Sequence, residues 1–164
     1  GYVMYKHVLV PIALDHGEGT QAALAVARHL LDEGGDITAL NVLEPVPMFI
    51  ANELPEGQVE RTRVDVLAAL RDELRDAADV KPVVITGHPG RAIVDFATEN
   101  GIECIVVASH KPGLSDYFLG STAARVVRHA RAITFQLAEI AVSGPMVRAV
   151  IAAIQRLRSP PVAA

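Results

Sequence analysis

Short apolar runs alternate along this chain with longer stretches whose apolar residues recur at helical spacing. From Lys6 to Ile12 the run His7-Val8-Leu9-Val10 is rich in β-branched residues and stops at Pro11, as expected of a strand buried on both faces. Thr20 to Glu33 carries Ala23, Leu24, Ala27, Leu30 and Leu31 at helical intervals, with Gly34-Gly35 read as the terminator. Asp36 to Leu43 predicts a second strand. Glu44 to Gly57, broken by Pro45, Pro47 and Pro55, is read as a long loop without regular structure. Its Met48, Phe49 and Ile50 are costly to leave in water and are expected to cover a ligand or another subunit, or to pack on the helix that follows.

That helix is predicted over Gln58 to Asp79, where Val59, Val66, Leu67, Leu70, Leu74 and Ala77 form a stripe opposite Arg71, Asp72, Arg75 and Asp76. Lys81 to Gly87 predicts a third strand. Pro89 opens a further helix that Asn100-Gly101 closes, and Glu103 to Ser109 predicts a fourth strand. The alternation implies parallel strands joined by right-handed crossovers, in an open Rossmann-like α/β sheet with helices on both faces. Ligands in such sheets bind beyond the carboxyl ends of the strands, where the strand order reverses. The segments that matter are then Pro11 to Asp15, Val42 to Pro45, Gly87 to Gly90 and Ser109 to Thr122.

Composition sharpens this picture. The 164 residues suit one domain, and a hydrophobic fraction of 51% with only 4% aromatic residues implies an aliphatic core. A formal net charge of −4 opposes association with nucleic acid or anionic membrane. The single cysteine, Cys104, precedes Ile105-Val106-Val107, rules out an internal disulfide and reads as a small buried hydrophobe. With no apolar run of about 18 residues and no signal-like opening, the expectation is a soluble cytoplasmic protein.

The candidate chemistry lies after the fourth strand. In Ser109-His110-Lys111-Pro112-Gly113 through Leu119-Gly120-Ser121-Thr122, Gly120 allows close backbone approach, and Ser121 and Thr122 begin a helix whose free N–H groups suit phosphate oxygens. Taken alone, Gly120-Ser121 is an ordinary turn and N-cap. Its place at the expected switch point, near the turn at Pro11, favours a mononucleotide.

The opening Val10-Pro11-Ile12, the Gly87-His88-Pro89 after the third strand, the strand ending Val106-Val107-Ala108-Ser109-His110, and the block from Leu119-Gly120-Ser121 to Val127-Arg128-His129-Ala130 resemble the universal stress protein family in order and spacing, from about Tyr5 to Arg131. The loop resembles the variant reading Ser-His-Lys/Arg-Pro. The resemblance implies a five-stranded, mainly parallel sheet and bound ATP with Mg²⁺. It places Pro11, Ile12 and Ala13 beside the adenosine, the main chain at Val42 on the adenine edge, and Ser109, His110, Gly113, Gly120, Ser121 and Thr122 around ribose and phosphates. It also implies a homodimer formed through the final strand, a regulatory protein partner, and a stress-associated role as a nucleotide sensor. Two positions depart from the pattern: Ala13 stands where the family usually has aspartate, and Ala108 stands for the first loop glycine.

Beyond Arg131, and above all beyond residue 142, the chain departs further. Ile133-Thr134-Phe135-Gln136-Leu137 stands where the family has a valine-rich strand, and residues 143–164 form an atypical extension. Within it, Met146 to Arg158 predicts an extra helix with Val147, Val150, Ile151 and Ile154 on one stripe and Arg148, Arg156 and Arg158 outside that quartet. No Gly-x-x-x-x-Gly-Lys-Ser/Thr loop is present, so ATP hydrolysis is expected to be slow at most, with His110 and Lys111 neutralising phosphate charge. The histidines at 7, 16, 29, 88, 110 and 129 form no i, i+4 ligand pair. Two other readings stay open: a dimeric interaction module that binds no nucleotide, favoured by Ala13 and Ala108, and a dinucleotide enzyme built on Gly17-Glu18-Gly19-Thr20-Gln21-Ala22 with Glu44 on a ribose.

Overall fold

The computed structural model describes residues 5–14, 17–109, 125–126, 128–130 and 133–138. Its elements run β1 (Tyr5–Pro11), α1 (Gly17–Leu30), β2 (Leu31–Leu43), α2 (Met48–Ala51), α3 (Gln58–Glu73), β3 (Val80–Thr86), α4 (Pro89–Glu99), β4 (Cys104–Ser109) and β5 (Ile133–Ala138). The strands form one five-stranded sheet in the order β3-β2-β1-β4-β5. Every neighbouring pair is parallel. The expected α/β class, its parallel sheet and its helix-covered faces are all present. The extra helix expected over Met146 to Arg158 lies outside the described residues.

Alternation along the strands divides the interior in two. Val8, Val10 and Ile12 of the first strand join Ile37, Ala39, Cys104 and Val106 under Leu24, Ala27, Leu70 and Leu74 of α1 and the α3 region. Leu9, Leu40, Ile105 and Val107 point the other way and meet Ile93 and Ala97 of α4, together with Val126. Each fully buried aliphatic side chain stabilises the fold by about 1.5–3 kcal/mol relative to exposure. Burial pushes the Cys104 thiol up to about 12, so it stays protonated and packs as a small hydrophobe. The outer strand β3 carries Pro82, yet its register with β2 runs unbroken from Ile37↔Val80 to Leu43↔Thr86. The missing N–H therefore faces outward, which is where a strand tolerates proline.

Several boundaries differ from the sequence reading, among them the start of α1, at Gly17 and not Thr20. Helix α1 stops at Leu30, and Leu31 to Glu33 belong to β2. Leu31 pairs with Tyr5 while Asp36 pairs with His7, so residues 32–35 bulge out of the ladder. The Glu33 N–H donates to Asp32 Oδ1 at 2.9 Å, and Gly34 adopts a φ of 76°, a local turn that competes with helix. Helix α3 ends at Glu73 instead of Asp79. Tight turns follow, with Ala77 N–H on Leu74 O at 2.8 Å and Val80 N–H on Ala77 O at 2.9 Å. Leu74 and Ala77 stay buried, because i, i+3 spacing serves such turns as well as a helix. The segment expected to lack regular structure holds α2, whose Ile50 and Ala51 N–H groups both donate to Pro47 O at 2.9 Å. Pro47, with φ −52°, caps this short helix and does not prevent it.

Gly35 fixes the bulge. A Cβ there would lie 2.7 Å from Lys6 O and 3.0 Å from Asp32 O, both backbone atoms that cannot yield cheaply. Gly35→Ala is expected to destabilise the protein by about 1–3 kcal/mol, read as a lower denaturant midpoint with an unchanged slope. On the surface, Arg28 clamps Asp79 with Nε–Oδ2 at 3.0 Å and Nη2–Oδ1 at 3.2 Å, tying α1 to the turn before β3. The bond to Arg28 holds the Asp79 carboxyl below its ordinary value of 3.8. The clamp's contribution is therefore complete above that value and is lost as pH falls through the lower folded one. Both groups are well solvated, so Arg28→Ala should cost under about 1 kcal/mol at neutral pH. In urea titrations the difference from wild type should vanish in strong acid.

Candidate functional site

The strand order runs outward from β1 in both directions: β2 and β3 on one side, β4 and β5 on the other. The reversal therefore falls between β1 and β4, the position at which open parallel sheets commonly place a ligand beyond the carboxyl edge. Pro11, the last residue of β1, is half-buried and lies level with Leu40. Ile12 is buried beneath it and Ala13 is exposed at the rim. The β1/β4 register, Val8↔Cys104 and Leu9↔Ile105, continued in step, brings Ala13 level with Ser109 at the end of β4. Val42 stands near the end of β2, paired with Ile85 and half-buried on the α4 side. Of the expected site residues, Pro11, Ile12, Ala13, Val42 and Ser109 thus converge on one edge of the sheet. His110, Gly113, Gly120, Ser121 and Thr122 lie outside the described residues.

The first part of this edge is rigid, for a reason not read from the sequence. Past the end of β1, the Ile12 N–H donates to Leu40 O at 2.8 Å. The buried side chain of Asn41 donates Nδ2–H to Ile12 O, also at 2.8 Å. Ile12 is therefore held on both backbone groups by β2. The available signal was the lone amide in Leu40-Asn41-Val42-Leu43, since a polar side chain inside a buried parallel strand must have a partner.

The chain leaves β4 at the carboxyl edge and enters the parallel strand β5 at the amino edge, so the intervening segment must return across the sheet. Arg125, Val126, Arg128 and His129 are helical on that return path. Val126 is fully buried with Leu9 and Ile105, directly under the switch-point strands. Gly90, in the first turn of α4, lets the two helical segments touch: a Cβ there would lie 2.7 Å from Arg125 Cδ and 3.0 Å from Arg125 Cβ. A helix antiparallel to the strands aims its amino end at the carboxyl edge.

An open groove of about 340 Å³ lies elsewhere, between the end of β3 and α4, lined in part by Thr86, His88, Arg91, Asp95 and Glu99. It sits at the outer strand and mixes charges of both signs, away from the β1/β4 reversal. Among the described residues, no three His, Cys, Asp or Glu side chains gather as a metal site. No helix among them is long and apolar enough to cross a membrane. Gly17 and Gly19 fall within α1 and not in a turn before it, which removes the geometry a dinucleotide fingerprint needs.

These features define an open parallel α/β domain whose strand order reverses between β1 and β4. The profile of the universal stress protein family matches residues 4–132, and the chain belongs to that family. Universal stress protein G of Shigella flexneri is 27% identical over 135 residues, covering 77% of this chain and 94% of that protein. Universal stress protein MJ0577 of Methanocaldococcus jannaschii is 29% identical over 148 residues, covering 77% and 90%. Its solved structure superposes with a TM-score of 0.62 at 25% identity, over 84% of this chain and 99% of that one. A universal stress protein from Archaeoglobus fulgidus, solved in complex with dAMP, shares the fold at a TM-score of 0.52 and 18% identity, over 81% and 98%.

Replacing Asn41 by Ala leaves Ile12 O buried without its donor. The expected cost is about 1–3 kcal/mol of stability, seen as a fall in denaturant midpoint. Asn41→Asp, which turns a carboxylate towards a carbonyl oxygen, should cost more than Asn41→Ala.

Proposed function

We propose that this protein binds an adenine nucleotide, ATP with Mg²⁺, at the carboxyl edge between β1 and β4. It acts in the cytoplasm as a nucleotide-dependent regulatory protein of the stress response. The observation that carries the reading is the fixed Pro11-Ile12-Ala13 edge, clamped by Asn41 and level with Ser109 at the reversal of strand order. Membership of the universal stress protein family supports it, as does the dAMP complex of a protein with the same fold.

Each segment has a distinct part in this reading. Ile12 and Ala13 supply an apolar seat for adenosine, and main-chain groups at Val42 read the adenine edge. Ser109, His110 and Gly113 flank the ribose, while Gly120, Ser121 and Thr122 offer backbone N–H groups to the phosphates. The donors are mostly main chain, so the site favours holding a nucleotide over transforming it, and hydrolysis is at most slow. Ala13 provides no side-chain oxygen, so Mg²⁺ enters as the counter-ion of the phosphates. Association of two copies through β5, an outer strand of the sheet, completes the reading.

Calorimetric titration with ATP, ADP and NAD tests the proposal directly. ATP is expected to bind and NAD to give no heat. Gly120→Val should weaken ATP at least about tenfold while the far-UV spectrum and melting curve stay those of the wild type. Unchanged affinity in that variant would put the ligand elsewhere. Silence from all three nucleotides would replace the reading with an interaction module that binds none, for which Ala13 and Ala108 already speak.

A further inference from the structure

Helix α4 carries its charges against its own dipole. In α1 the basic residues Arg28 and His29 stand in the last turn, and in α3 Glu60 stands in the first turn and Arg71 in the last, as a helix favours. Helix α4 has the reverse order, with Arg91 in the first turn, Asp95 one turn further and Glu99 at its end. These side chains do not compensate one another either. Arg91 and Asp95 are four residues apart, where opposite charges on a helix commonly pair. Among the described residues, however, the ion pairs are His7–Asp36, Arg28–Asp79, Arg63–Glu60 and Arg75–Asp72.

All three α4 charges are exposed, and all three line the groove of about 340 Å³ between this helix and the end of β3. His88, the N-cap residue, adds a ring nitrogen at the Arg91 end. The groove is thus cationic at the carboxyl edge of the sheet and anionic towards the amino edge. Between these ends lie Ile85, Ala92 and Phe96, all half-buried. The other wall is the free margin of β3. Gly87 N–H donates inward to Leu43 O at 2.8 Å, so the backbone groups of Thr86 face outward, on the same side as Pro82. Pro82 denies pairing along the first half of this margin, but Thr86 is exposed and keeps both its N–H and its C=O.

We propose that this groove binds the carboxyl-terminal residues of a partner protein, laid parallel to β3 as a short added strand. The terminal carboxylate meets Arg91 and His88, Thr86 supplies the main-chain pairing, and a Lys or Arg side chain of the peptide meets Asp95 and Glu99. Spacing fixes where that basic residue stands. From His88 and Arg91 to Asp95 and Glu99 is about 11 Å along the helix axis, which an extended peptide covers in about three residues. The basic residue is therefore the third before the terminal one. The residue just before the terminal one shares its face and lies over Ala92 and Phe96. An outward main-chain pair on the wall favours a peptide over a small amphoteric molecule, whose two ends could meet both charges without it.

Nuclear magnetic resonance titration of the full chain with the N-acetylated peptide Lys-Ser-Val-Ser, its carboxylate free, tests the site. Amide shifts at Thr86, Arg91, Phe96 and Glu99 are expected to saturate below about 1 mM, while those of β1 and β4 stay still. Amidating the peptide's carboxyl group should weaken binding about tenfold, as should Arg91→Gln, or Asp95→Asn combined with Glu99→Gln. Asp95→Lys combined with Glu99→Lys should restore affinity for the peptide that carries Glu in place of Lys, which a loss of folding could not do. An absence of shifts at about 1 mM, shifts centred elsewhere, or equal binding of the amidated peptide would overturn the proposal. Free lysine binding as tightly as the peptide would overturn it too and give the groove to a small amphoteric ligand.

Discussion

The rest of the structure depends on the double burial of β1. Val8, Leu9 and Val10 are all fully inaccessible to water, and their alternation commits each to a different side of the sheet. A strand buried this way can only sit in the interior of a parallel sheet, with its backbone groups bonded to β2 on one side and β4 on the other. Both helix layers are seated on it, and the strand order reverses beside it. The edge proposed for the nucleotide follows from that arrangement, because it lies where the strand order turns back beside β1.

The strands were the most legible part of the sequence because double burial writes them as uninterrupted apolar runs. Helix ends were less so. Leu31 is apolar enough to continue α1 or to pair with Tyr5, and the Asp32–Gly35 turn decides between them. Leu74 and Ala77 keep their helical interval through turns that are no longer helical. At Pro47 the residue read as a breaker instead starts a turn of helix, since its fixed φ and carbonyl suit that position. The edge proposed as the site was legible in outline, through the strand-end proline and the strand order. Asn41 escaped because its partner, the Ile12 carbonyl, is brought beside it only by the β1/β2 register.

The clamp on Ile12 explains how the edge can tolerate Ala13. An aspartate there would contribute to a ligand through its side chain, but the shape of the turn is set one residue earlier by β2. Exchanging the rim residue therefore changes what the edge offers without changing where it stands. Gly90 plays a comparable part on the other face: by lacking a side chain it lets α4 and the segment around Arg125 close together beneath the same two strands.

Pro82 has a consequence for how copies of this molecule can meet. Along the free side of β3 the row of backbone donors is interrupted at its middle, so a second sheet cannot add there in register. Among the described residues the opposite margin is β5, whose six residues include no proline. The position of a single imino acid thus blunts one margin of the described sheet against continuation.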